Sequence, residues 1–208
     1  MTSVLLTGSE IGLELISREI AINLIQQINP ALDAEDLRWN TLDAQLDSIR
    51  GVSTESYASE HVSPINIHVG HKPSLIIGPV ENYPNIAVMS YAAGPSTNRP
   101  IDQGEDFQVR TSIETCVKAG PYDPEIVSID KAEELVNKRI QRMVEAIHFV
   151  VSKEANIHLN GLITGYQGAP AIVITDCDKR SGSSDESNTM YYWQMARIEY
   201  TIFKPSVF

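Results

Sequence analysis

The stretch Phe107-Gln-Val-Arg-Thr-Ser-Ile-Glu-Thr-Cys-Val117 alternates along its whole length. Successive side chains of a β-strand point to opposite faces, so Phe107, Val109, Thr111, Ile113, Thr115 and Val117 share one side. Gln108, Arg110, Ser112, Glu114 and Cys116 share the other. The pattern predicts a half-buried strand with one face on a core and one face polar, as antiparallel and mixed sheets carry. Tyr191 to Phe203 repeats the design, with Ala196, Ile198, Tyr200 and Ile202 against Met195, Arg197, Glu199 and Thr201. Arg110, Glu114, Arg197 and Glu199 are therefore expected as opposite-charge pairs across neighbouring strands, each worth roughly 0.2–1 kcal/mol.

Between these strands, Gly120-Pro-Tyr-Asp-Pro124 leads into a helix expected from about Ser128 to Lys153. Its apolar face is Ile129, Ala132, Leu135, Val136, Ile140, Met143, Val144, Ile147 and Val151. Lys131, Glu134, Lys138, Arg139, Arg142 and Glu145 lie mostly outside that face, and Ser128 is a candidate cap. The helix should cover the apolar face of the sheet.

Towards the N-terminus, Ile11, Leu13, Leu15, Ile16, Ile20, Leu24, Ile25 and Ile28 recur at helical spacing. Thr7 and Glu10 stand three apart, as a capping box needs. Asn29-Pro30 is expected to end this helix, because proline disfavours the α conformation in the residue before it. A second helix is expected through Leu37, Leu42, Leu46 and Ile49, capped by Gly51. Ile65–Val69, Leu75–Ile77, Ile86–Met89 and Ala171–Thr175 read as short strands. Three polar stretches, 52–64, 92–106 and 176–189, read as extended loops, the kind of surface that carries contacts. The order is then α-α-β-β-β-α-β-β in one α+β domain over 1–208. It is built on a mixed, mainly antiparallel sheet with helices on one face and an N-terminal helical segment over 1–50. There is no internal repeat and no heptad run.

Composition narrows the function. The chain has 208 residues, 16 basic and 27 acidic, for a net charge of −11. Hydrophobic residues at 42% supply a core of normal size. An acidic surface opposes broad phosphate binding, yet it suits a path along which DNA slides without sticking. No apolar run reaches the roughly 18 residues of a membrane helix. The opening residues, from Met1 to Glu10, lack the basic and apolar regions of a secretory signal. Cys116 and Cys177 are expected as free, mostly buried thiols.

A search for chemistry returns little. His68 and His71, three apart on a strand, face opposite sides and make no shared metal site. His61 and His158 lie in connecting stretches, and His148 reads as a packed or rim residue of the long helix. Gly161, Gly165 and Gly168 precede a strand and lack the spacing of a phosphate cradle. Asp176 and Asp178 flank Cys177 and suppress its thiolate. Together with Asp185 and Glu186 they match no calcium-loop spacing. No catalytic residue, cofactor site or metal site is expected. Candidate interface or lumen residues are Arg110, Glu114, Arg197 and Glu199 on the polar strand faces, against the plainer reading of solvated sheet surface. Asp102, Glu105, Asp106, Asp185 and Glu186 join them from the loops.

From Ile11 to Phe203 the succession of elements resembles the tail terminator, or tail completion, proteins of tailed bacteriophages. The segments that carry the likeness are Phe107–Thr115, Asp130-Lys-Ala-Glu-Glu-Leu-Val136 with Ile140-Gln-Arg-Met-Val144, and Ala196-Arg-Ile-Glu-Tyr-Thr-Ile-Phe203. The resemblance implies a virion protein assembled in the host cytoplasm as a homo-oligomeric ring, usually a hexamer. Such a ring caps the tail tube protein, stops its polymerisation and offers a surface to the head connector or stopper protein. DNA crosses the lumen without specific binding, and a sheath protein is a further neighbour in contractile tails. The resemblance brings no catalytic residues. Other neck components, such as a stopper or adaptor, and a small enzyme or ligand-binding protein remain as alternatives. The N-terminal helical segment and the three loops are longer than in many members.

Overall fold

The computed structural model describes residues 13–53, 66–69, 84–95, 107–120, 130–153, 172–186 and 189–204. Its elements are α1 (Leu13–Arg50), β1 (Asn66–Val69), β2 (Asn85–Pro95), β3 (Phe107–Ala119), α2 (Asp130–Ser152), β4 (Ile172–Glu186) and β5 (Thr189–Lys204). The strands form one five-stranded sheet in the order β1-β2-β3-β5-β4. β1 runs parallel to β2, and every other neighbouring pair is antiparallel. The protein is α+β with a mixed, mainly antiparallel sheet, as the alternation of β3 and β5 requires.

Register explains the core. Val88, Ile113 and Ile198 lie side by side on β2, β3 and β5, each fully buried. Thr111 and Tyr200 form the next row on this face, and Val109 and Ile202 the one beyond it. Onto this face pack Ile16, Ile20, Leu24, Ile28 and Leu32 of α1 and Met143, Ile147 and Val150 of α2. The first turns of α2 add Leu135, Val136 and Ile140 against Val117, Ala119 and Ala196. A hydroxyl chain ties α1 to the sheet beside this core. Ser17 Oγ donates to Ser90 Oγ and accepts from Ser90 N, both at 2.8 Å, and Ser90 Oγ meets Thr111 Oγ1 at 2.8 Å.

Three local expectations change. The helix does not end at Pro30: α1 is a single helix of 38 residues with Pro30 inside it. An interior proline costs about 3 kcal/mol through the lost hydrogen bond and its ring clash. Continuing the helix sets Ala31 and Leu32 into the core and brings Asp36 to Arg142, which offsets that cost. The expected Gly51 cap is present. Gly51 has φ +70°, its N–H bonds Ser48 O at 3.3 Å, and Val52 N–H bonds Asp47 O at 3.1 Å, the two bonds of a Schellman motif.

The second change is the stretch 176–189. It is strand rather than loop through Glu186, so β4 and β5 make a hairpin of 15- and 16-residue strands. Serine and glycine serve the pairing here. A Cβ at Gly182 would lie 2.5 Å from Trp193 Cζ2, so only glycine leaves room for the indole. Likewise β2 continues to Pro95, taking the first residues of the expected 92–106 loop into the sheet.

The third change concerns the polar face of β3. Ser112 is 2% exposed, Glu114 3% and Lys118 0%, so this face is covered as well as the helix-bearing one. The helix α2 is revised in the same sense, because Arg139 and Arg142 are buried rather than outside the packed face. The expected Thr7–Glu10 capping box, the Ser128 cap, the Leu75–Ile77 strand, His71 and the Gly161–Gly168 turn lie outside the described residues, as does most of the 52–64 loop.

Candidate functional site: two interaction surfaces

The outer face of the sheet gathers the charges that the strand pattern singled out. Ala87, Glu114, Arg197 and Asp178 stand in one row across β2, β3, β5 and β4. Met89, Ser112, Glu199 and Asp176 stand in the next. Arg197 Nε lies 3.8 Å from Glu114 Oε1, and its Nη2 pairs with Glu199 Oε1 on its own strand. Arg180 Nε meets Asp178 Oδ2 at 3.2 Å. The expected Glu114–Arg197 cross-strand pair is thus present, but its acid is 4% exposed and its base 38%, so the pair spans from covered sheet to rim. Arg110 is exposed and sits opposite Thr201 and Ala92, away from both acids. Asp185 and Glu186 belong to the backbone of β4 at the hairpin end, opposite Met190 and Thr189. Their side chains, and all of Asp102, Glu105 and Asp106, lie outside the described residues.

β4 is one edge of this sheet and is exposed from Asp176 to Ser181. An edge strand offers unpaired backbone groups, and proteins blunt that with charge and bulges. Asp176, Asp178, Lys179 and Arg180 supply the charge, and the register shifts between Ile174 and Asp176. Cys177 is exposed here, against the expectation of a buried thiol, whereas Cys116 is buried. Burial first, then Asp176, Asp178 and Glu145, push the Cys177 thiol above its ordinary value against the pull of Lys179. Burial pushes Cys116 up to about 12, with Lys118 opposing. Neither is an activated nucleophile.

The second surface was not recognised from the sequence. Beyond Pro30, α1 meets α2 through polar groups. Arg142 Nη1 donates to Asp36 Oδ1 at 3.0 Å and Nη2 to Asn40 Oδ1 at 2.9 Å. Lys138 Nζ donates to Asp43 Oδ2 at 3.1 Å. The apolar residues whose spacing marked this half of the helix lie outward. Leu37 is 71% exposed, Leu42 52%, Leu46 43% and Ile49 84%. The signal was present in the spacing of Asp36, Asn40 and Asp43, which put a polar stripe on one side of the helix, but only the position of α2 identifies that stripe as the packed one.

A cleft of about 200 Å³ between the start of α2 and the β4–β5 hairpin is lined by Glu133, Val136, Ser181, Ser183, Tyr192 and Gln194, with no histidine or cysteine. His148 is a half-buried residue of α2. Among the described residues no three His, Cys, Asp or Glu side chains converge as a metal site. No helix among them is long and apolar enough to cross a membrane. No protein-family model matches the chain, and no curated protein does.

Proposed function

We propose that this chain is a structural protein of a tailed bacteriophage particle: a tail terminator that forms a ring on the tail tube, ends its growth and receives the head connector. The observation that carries the reading is the outward aliphatic surface of α1. Four large side chains left in water on a chain of net charge −11 mark a protein built to associate. Further support comes from the hairpin β4–β5, whose edge is charged and bulged, which suits selective contact over indiscriminate pairing. The net acidity would keep DNA phosphates from adhering to a lumen wall. In this role the chain acts by shape and holds no reacting group, and the resemblance implies six copies.

Electron microscopy of tail tubes assembled with and without the purified chain tests the reading. With the chain present, a ring of discrete copy number should sit on one end of each tube, and tube length should stop increasing. Tubes that grow on regardless, with bare ends, would refute it.

A further inference from the structure

The cleft between α2 and the β4–β5 hairpin is a slot with polar sides on an apolar floor. Alternation along β5 puts Tyr192 and Gln194 on the face of Ala196 and Ile198, the one that α2 covers. Their partners across the hairpin are Ser183 and Ser181. The first turns of α2 add Glu133 and Val136 from the other side. Val136 is buried and Tyr192 packs on the same apolar cluster, so these two make the floor. Glu133 is exposed at the opening. Among the described residues, Glu133, Ser181, Ser183, Tyr192 and Gln194 spend their side chains on no other hydrogen bond or ion pair, and no cation lines the cleft.

These groups select a guest. A carboxylate with no resident cation rejects anions, and an apolar guest would leave the polar sides unsatisfied. An arginine side chain suits every part. Its stem lies on Val136 and the Tyr192 ring, and its guanidinium donates to Glu133, the serine hydroxyls and the Gln194 amide oxygen. At about 200 Å³ the cleft has room for one long side chain and falls short of a drug-sized ligand.

We propose that the guest is Arg110 of a second copy of this chain. The inference rests on the self-assembly part of the reading above and names the contact. Among the described residues, the exposed cations Arg50, Arg110 and Lys179 take part in no hydrogen bond or ion pair. Arg50 closes the last turn of α1, where the carbonyl end of the helix already favours a cation. Lys179 lies on the cleft's own face of β4, with Asp176, Asp178 and Glu145 around the same thiol. Arg110 has no such neighbour. It points from the opposite face of the sheet and pairs with Thr201, roughly 25 Å along β5 from the cleft. It cannot reach the cleft of its own chain, so the pairing takes two. A chain of net charge −11 repels its copies, and a local contact of opposite sign is what overcomes that. Since each copy offers Arg110 to one neighbour and the cleft to another, the contact is heterologous, the kind that a closing rotation turns into a ring.

Charge reversal in the full-length chain tests this by sedimentation velocity. Arg110→Glu and Glu133→Arg each set like charges across the contact, and each should weaken association at least about tenfold. A chain carrying both changes, and an equimolar mixture of the two single variants, should recover most of the association, because every contact again joins opposite charges. Both positions are exposed, so melting temperatures should stay at the wild-type value. If Glu133→Arg melts early, Glu133→Gln removes the charge at the same size and should weaken association roughly fivefold. Butylguanidinium should move the Tyr192 ring resonances of the wild type and leave those of Glu133→Gln in place. Single variants that associate like the wild type, a double variant no better than either, or a wild type monomeric up to about 100 μM overturn the proposal. So does butylguanidinium that leaves Tyr192 unmoved. Rings on tail tubes built equally well from either single variant would sink this contact and leave the terminator reading standing. Association that depends on the pair but ignores tail tubes would do the reverse.

Discussion

Replacing Asp36 with alanine should loosen the outer half of α1 while the rest of the fold persists. The Arg142 guanidinium is 1% exposed, and Asp36 is the carboxylate that meets it, at 3.0 Å. Removing that carboxylate strips the buried cation of it and leaves the amide of Asn40 beside the guanidinium. Breaking a buried pair from one side costs about 3–5 kcal/mol. For a chain of this size, each kilocalorie lowers the melting temperature by roughly 2–4 °C, so a drop of about 6–20 °C is expected. Removing both charges is the control. Asp36→Leu with Arg142→Met should recover most of the loss, because it removes the uncompensated charge with its partner. Urea unfolding followed by circular dichroism gives the free energies, at protein concentrations low enough to avoid association. Hydrogen exchange locates the effect: amides after Pro30 should lose protection first, while those of Ile16–Ile28 keep theirs. A loss below about 1 kcal/mol for Asp36→Ala would refute the argument, since that is the range of an exposed pair. So would a double variant as unstable as the single one.

Two further outcomes follow from the sheet. Ile113→Asp sets an unpaired charge at a position of 0% exposure between Val88 and Ile198, and should leave no cooperative unfolding transition at 25 °C; a normal transition would overturn the assignment of the core face. Stability should also fall at alkaline pH. Burial raises the Cys116 thiol from 9.0 to about 12, so the folded state holds that proton where the unfolded chain releases it. The contribution is full below pH 9 and is lost between about 9 and 12, by up to roughly 1.4 kcal/mol per pH unit. Unfolding of Cys116→Ala measured from pH 8 to 10.5 should show a shallower decline than wild type, and parallel curves would refute the role assigned to the thiol.

Elements with an apolar face towards the core between helices and sheet, and a polar face away from it, wrote their period into the sequence. β3, β5 and α2 were legible for this reason, and with them the α+β class, the Gly51 cap and the Glu114–Arg197 pair. The edge strand β4 was not. With both faces in water from Asp176 to Ser181, nothing selects alternation, and the stretch Asp-Cys-Asp-Lys-Arg-Ser-Gly-Ser-Ser reads as loop. Its strand conformation comes from the hairpin ladder, where backbone bonds to β5 outweigh a composition poor in β-formers.

Local rules failed where a distant partner decided. Pro30 predicts an end to the helix, and from a local window that is correct. The helix continues because Leu32 finds the sheet and Asp36 finds Arg142, 106 positions away in the chain. Arg142 reads as a surface residue until that carboxylate arrives to neutralise it. Leu37, Leu42, Leu46 and Ile49 mark a helix by their spacing, yet α2 approaches on the polar side and leaves them in water. What the amino-acid order alone determined is the period of each half-buried element, because periodicity is a local consequence of facing a core. Which face meets a neighbour, and which charges can be buried, only the tertiary structure decided, because burial depends on groups brought together from far along the chain.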